Sequence, residues 1–241
     1  MKRTERRHLK QNEVQRLTMQ ARSIIESNSR EVTVTIAIVA VAAVIALGYV
    51  VWKNNRESKA HALVAEAMTV QEARIGPPAA PGTPNPGLSF TTERARDQAA
   101  LTKFKVAADA YPSTNAGLFA RYEEAALDME LGTPSAAITA YQEVVDRAGS
   151  SIYGQMARLG LAEAQARSGQ YDQALKAFSE LSQRKDGPLP VDGILMQLGR
   201  TYLEAGKRTE AQQTFTRLVE EYPESPFSGD ARKELENLKK T

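Results

Sequence analysis

The chain has 241 residues and no cysteine, two histidines and one tryptophan. Without cysteine there is no disulfide framework, no thiolate nucleophile and no cysteine-based zinc site. The absence does not identify a compartment, because disulfide-free proteins occur on either side of a membrane. His8 and His61 are far apart in sequence. The acidic residues are scattered through helical segments at surface-like spacings, so no carboxylate pair stands out as an acid–base couple. The stretch "AGKRT", Ala205 to Thr209, fails as a phosphate-binding loop, since Thr201 stands where the first glycine is needed. These absences point away from an enzyme and toward no cofactor, no metal and no small-molecule substrate. Charge of one sign is also scarce. The net charge of +2 supplies no field for nucleic acid.

What charge imbalance exists is local. Residues 1 to 31 carry eight Lys/Arg and four Asp/Glu, whereas residues 53 to 241 carry 23 and 25. The basic end abuts "VTVTIAIVAVAAVIALGYVVW", Val32 to Trp52, which has 21 residues and no charge. At about 1.5 Å per residue this run spans roughly 30 Å as a helix, one hydrocarbon thickness. Tyr49 and Trp52 stand at its end, where amphipathic rings favour the membrane interface. A cleaved signal peptide would have a shorter apolar core ending at a small-x-small site. Of the nearby cations, Lys2, Arg3, Arg6, Arg7, Lys10, Arg16, Arg22 and Arg30 precede the run, and Lys53, Arg56 and Lys59 follow it. The positive-inside bias therefore predicts a cytoplasmic N-terminus and a C-terminal domain across the membrane. Within the arm, Val14, Leu17, Ala21, Ile24, Ile25 and Asn28 recur at roughly helical steps. They form either an amphipathic helix or part of a topology signal with a disordered tail.

Beyond the run, one phrase recurs every 37 residues. Ala100, Ala137, Ala174 and Ala211 share a register; four residues later stand Phe104, Tyr141, Phe178 and Phe215; three further stand Ala107, Val144, Leu181 and Leu218. Steps of four and three put small, aromatic and aliphatic residues on one helical face. Another helix precedes each of the last three copies. In the last it carries Leu195, Leu198, Gly199 and Tyr202, with a turn at Gly206. In the one before, Leu161 and Ala162 lead to a turn at Gly169. In the second copy the match takes a one-residue shift, to Tyr122, Ala125, Ala126 and Met129, because Arg121, Glu124 and Asp128 otherwise fall on the core face. The pattern resembles the tetratricopeptide repeat, whose usual length is 34, so longer turns between pairs are expected, as in "RKDGPLPVDG". Residues 229 to 240 suit a polar cap on the open end.

The resulting reading is all-α: a transmembrane helix, then a tetratricopeptide-like α-solenoid of about 3.5 to 4 helical pairs. The segments are a basic cytoplasmic arm (1–31), the span (32–52), a membrane-proximal helix (53–75), a proline-rich stretch (76–91) and the repeats (92–241). Five of the eleven prolines lie in the fourth segment. It is either a stiff spacer or a loop inside the first repeat. Repeat geometry implies a concave face lined by the first helix of each pair, with Met156, Leu159, Glu163, Met196, Arg200 and Leu203 as its groove, unless those side chains are packed core. A basic clamp for C-terminal carboxylates is not expected, because Glu163 and Leu159 take two of its positions.

The whole layout resembles the ancillary subunit family of the bacterial SecYEG translocon, bitopic inner-membrane proteins with a periplasmic tetratricopeptide-like domain. The features that carry it are the basic arm, the apolar span, "KNNRESKAHALVAEAM" and "ARLGLAEAQARSGQYDQALKAF". The resemblance implies a non-enzymatic scaffold in the inner membrane. Its partners would be Sec translocon subunits, periplasmic chaperones and unfolded clients. The tail "YPESPFSGDARKELENLKK" also looks like repeats of envelope proteins serving division or outer-membrane assembly.

Overall fold

The computed structural model describes residues 29–77, 87–184 and 187–240. The arm helix expected around Val14 to Asn28 lies outside them. The chain divides into two compact units, Met1–Asn55 and Arg56–Thr241. Among the described residues there are nine helices: α1 (Ser29–Gln71), α2 (Glu93–Ala110), α3 (Asn115–Leu131), α4 (Pro134–Ala148), α5 (Ile152–Arg167), α6 (Tyr171–Ser182), α7 (Val191–Glu204), α8 (Arg208–Glu221) and α9 (Ser228–Lys239). Two short strands, β1 (Arg74–Ile75) and β2 (Ser89–Phe90), pair in parallel.

In the first unit, α1 contains an 18-residue window of mean hydropathy 2.7, none of it buried. Its length and apolar character are those of a membrane span or a signal sequence. Tyr49 and Trp52 are both exposed, with ring centres 5.9 Å apart.

The second unit is a solenoid of helical pairs. Its local signals are conventional. Thr92, Thr114 and Ser151 cap α2, α3 and α5 by accepting from the N–H groups of Ala95, Gly117 and Gly154. Pro134 opens α4, where its missing N–H costs nothing. The first helix of each of the last three pairs ends at Gly132, Gly169 or Gly206, with φ of 82°, 75° and 73°. A residue without Cβ takes this left-handed conformation readily. The next residue then donates back across the turn: Thr133 to Asp128, Gln170 to Gln165 and Lys207 to Tyr202, each at 2.8 Å. These bonds recur at the 37-residue period of the sequence, and they close the helix ends as a Schellman motif does.

The repeated register is buried throughout. Ala100, Ala137, Ala174 and Ala211 are fully buried, and the four rings and four aliphatic or small residues beyond them are buried as well. Ring and small residue meet closely. A Cβ placed on Gly199 would lie 2.3 Å from the Phe215 ring, and one on Gly160 would lie 2.5 Å from the Tyr141 ring. The first contact joins the two helices of one pair, and the second joins one pair to the next.

Three expectations need correction. First, the helix expected to reach Ile75 stops at Gln71, and Arg74–Ile75 pairs with Ser89–Phe90 instead. Gly76-Pro77 follows, and a proline disfavours helical backbone before it. The Gly76 N–H donates to the Phe90 carbonyl at 2.9 Å. Ala60, Val64, Ala67 and Val70 of α1 share one core with Ala100, Phe104 and Ala107 of α2, so the two ends of the proline-rich stretch belong to a single helical pair.

Second, the extra residues of the repeat do not all go into turns. The connection from Ser182 to Val191 takes up some of them. Gly149 to Ser151 suffices between α4 and α5, because α3 and α4 are themselves longer, at 17 and 15 residues.

Third, the one-residue shift in the second copy is absent. Ala125 keeps the unshifted register, and Glu124 and Asp128 are buried at 6% and 8% exposure. Helix α3 packs on both sides, with Ala120 and Leu127 in one core and Ala125 in the next, so Glu124 and Asp128 are kept from solvent. They are paired instead. Arg121 bonds Asp109 of α2, Glu124 at 2.6 Å and Glu143 of α4 at 3.2 Å, while Lys105 reaches Glu124 at 3.5 Å. The Thr133 hydroxyl donates to Asp128 at 2.7 Å. Bonding to Arg121 holds the half-exposed Asp109 carboxyl below its usual range. Burial outweighs the same cation at Glu124 and pushes that carboxyl up.

Two stability measurements follow from this packing. Phe178, 1% exposed, should cost about 3–5 kcal/mol on replacement by alanine. Denaturant unfolding reads this directly, and a loss below about 1 kcal/mol places the ring outside the core. Arg121→Ala should cost about 1.5–3 kcal/mol at neutral pH, by removing the charged hydrogen bond to Glu124 and leaving it only the exposed Lys105 at 3.5 Å. That deficit should narrow on acidification through the raised Glu124 range, above the ordinary 4.5, because a protonated carboxyl needs no cation. A deficit independent of pH contradicts this account.

Candidate polypeptide-binding face

The face to examine belongs to the first helices α3, α5 and α7. They arrive at a repeated spacing because the glycine turns and the seated rings set one helical pair against the next. The six residues expected to form the groove divide there. Met156, Leu159 and Glu163 are half-buried on α5. Arg200 is exposed and Leu203 half-buried on α7. Met196 is 1% exposed and packs with Leu195, Phe215 and Leu218, so it serves the last core and offers no surface to a ligand. Glu163 and Arg200 do come together, lining one cleft with Arg167, Gln197 and Glu204.

The structure adds aromatic contacts among Phe104, Tyr122 and Tyr141, which periodicity assigned to packing, and Phe119 and Tyr153, which it did not single out. Phe104, Phe119 and Tyr153 form an edge-to-face ladder across α2, α3 and α5, with ring centres 6.4 and 6.3 Å apart. Tyr122 meets Tyr141 edge-on at 5.5 Å. Around this pair burial pushes up the pKa values of Tyr122, Glu123 and Glu163. Neighbouring carboxylates add to the effect at Tyr122 and Glu123, while the Gln71 side chain counters it at Glu123 and Arg167 at Glu163. The sequence does hold one signal for this site: Tyr141 is the single hydroxyl-bearing ring in a register otherwise filled by phenylalanine.

A model of the tetratricopeptide repeat-like domain matches residues 26–238. The chain belongs to that family. No curated protein matches the chain. Among solved structures, the chain is similar to the nearly identical TPR-like repeats of a kinesin light chain-type protein from Podosopora anserina. The identity is 16%, covering 76% of this chain and 85% of that one, with a TM-score of 0.57. A second structure of those repeats gives 15% identity over 76% and 86%, also at 0.57. The TPR protein YrrB, described as having an unusual peptide-binding site, is 20% identical over 58% of this chain and 68% of its own, with a TM-score of 0.48. The repeat fold makes this tetratricopeptide-like chain a protein-interaction scaffold.

The two methionines separate surface from core. Met156→Glu should cost no more than about 1.5 kcal/mol, because the half-buried side chain can carry its carboxylate to solvent. Met196→Glu should cost more than about 4 kcal/mol, since it buries an unpaired charge. Thermal and denaturant unfolding of both variants checks the division, and equal losses contradict it.

Proposed function

We propose that this protein is a non-enzymatic, membrane-anchored scaffold at the Sec translocon. Its first-helix face would receive emerging polypeptides, and periplasmic chaperones would be its other partners. The observation that carries the membrane part is the exposed run of α1. Ile36, Ile38, Val44, Ile45, Leu47 and Val51 are each at least 63% exposed, and an apolar surface of that extent calls for a covering. Lipid covers such a helix because its backbone hydrogen bonds are internal. The cation bias across the run supports a cytoplasmic arm and periplasmic repeats, with Tyr49 and Trp52 at the interface. The Sec assignment rests on the resemblance of the arm, span and repeats to the translocon's ancillary subunits. The repeat face supports the polypeptide part, because Met156 and Leu159 offer flexible apolar contact.

Two measurements on the full chain in bacterial membranes test this. Protease added to spheroplasts should remove residues beyond the span and spare the arm; protection until lysis refutes the orientation. In mild detergent the protein should co-purify with channel subunits. Recovery of division or outer-membrane assembly factors without channel subunits replaces the Sec reading with the envelope-adaptor one.

A further inference from the structure

One charged set occurs twice at the repeat spacing. Arg121, Glu143 and Arg147 of the second copy recur 37 residues on as Arg158, Glu180 and Arg184. In each copy the three line one crevice against the two helices of a pair, α3 with α4 and then α5 with α6. The two crevices differ in what fills them. In the second copy Arg121 holds Glu124 at 2.6 Å and Glu143 at 3.2 Å besides Asp109, and Arg147 donates to the Pro112 carbonyl at 3.3 Å. That crevice has no room left for a water molecule. In the third copy Leu161 stands in the place of Glu124. Asp146, in the place of Asp109, accepts instead from the Gln142 side chain at 2.7 Å. Glu180 comes within 4.0 Å of neither arginine, and Arg158 and Arg184 have no ion pair or side-chain hydrogen bond among the described residues. The result is an open cleft of about 310 Å³, lined by these three charged side chains and by Leu161, Ala177 and Leu181. The last copy is closed in another way. Leu195 replaces the first arginine, and Arg217 and Glu221, in the places of Glu180 and Arg184, pair at 3.0 Å.

We propose that the cleft of the third copy receives an aspartate or glutamate side chain of a partner protein. The carboxylate meets the Arg158 and Arg184 guanidiniums, as Glu124 meets Arg121 one repeat earlier, and its stem lies on Leu161, Ala177 and Leu181. The planar fork of arginine matches a carboxylate, and the bonds are charge-assisted. Glu180 is no obstacle, since Arg121 holds Glu124 and Glu143 together. Two cations against one carboxylate leave the cleft net positive, so a lysine there meets like charge. The cleft shares no residue with the first-helix band. It is a second contact site and does not depend on the groove.

The test uses the full chain in detergent micelles. Three fluorescein-labelled synthetic peptides share one leucine-flanked sequence and differ only in a central glutamate, glutamine or lysine. Anisotropy titrations should rank glutamate over glutamine over lysine, with glutamate about tenfold or more above lysine at low salt. Added salt should shrink the gap. Arg158→Gln and Arg184→Gln should each bring the glutamate peptide toward the glutamine peptide and leave the latter unchanged. Arg200→Gln, on the first-helix face, should leave the ranking as it was. Leu161→Glu, shown to be folded by circular dichroism, restores the carboxylate of the second copy and should abolish the glutamate preference. Equal affinity for the three peptides, no binding of any of them, or a preference that survives both arginine substitutions overturns the site. A preference lost in Arg200→Gln instead places the charge contact on the first-helix face and overturns it too.

Discussion

An aromatic ring buried between helices needs a place where the facing helix carries almost no side chain. Phe215 finds it at Gly199 and Tyr141 finds it at Gly160, each so close that a single added carbon would strike the ring. The two contacts run in different directions, one within a pair and one between pairs. The same kind of seat thus both builds a repeat and fastens it to its neighbour, and stability spreads through nearest-neighbour interfaces. The glycine turns, the spacing of the first helices and the face they present all follow from keeping rings and seats in step.

Helix α3 shows what happens when charged residues occupy that frame. It is packed on two sides, so Arg121, Glu124 and Asp128 cannot turn outward without pulling Leu127 or Ala125 from a core. The fold keeps its register and neutralises the charges, drawing partners from α2 and α4. Removing two charges from water opposes folding, and their mutual bonds recover that cost only when the geometry is good. The opposite shifts of Asp109 and Glu124 around one guanidinium reflect this balance: the exposed carboxylate feels chiefly the cation, and the buried one chiefly the loss of water.

The division between core and surface also bears on function. Residues that seat the rings are spent on packing, Met196 among them. What remains on the first helices is a mixed band of Met156, Leu159 and Tyr122 with Glu123, Glu163 and Arg200. On the proposed reading this band meets an extended chain, through spaced contacts along one face. The exposed apolar helix of the first unit sets a separate requirement, a covering, which on the proposed reading a lipid bilayer supplies.

Much of this was legible from residue order alone. The 37-residue alternation of small, aromatic and aliphatic residues named the buried faces of α2, α4, α6 and α8, because helical periodicity is a local property. The turns at Gly169 and Gly206 and the apolar run were equally readable, since backbone freedom and hydropathy belong to the residues themselves. Other features depended on neighbours distant in sequence. The burial of Glu124 follows from Lys105, Asp109 and Glu143 converging with Arg121 around it. The pairing of Arg74–Ile75 with Ser89–Phe90 follows from one core shared across the proline-rich stretch. Met196 and Met156 look alike as letters, and only the packing of α8 against α7 makes one core and leaves the other at the surface. Residue order determined the periodic helices and the apolar run; tertiary structure decided which charges are buried and which apolar side chains stay free, because burial depends on what the rest of the chain brings alongside.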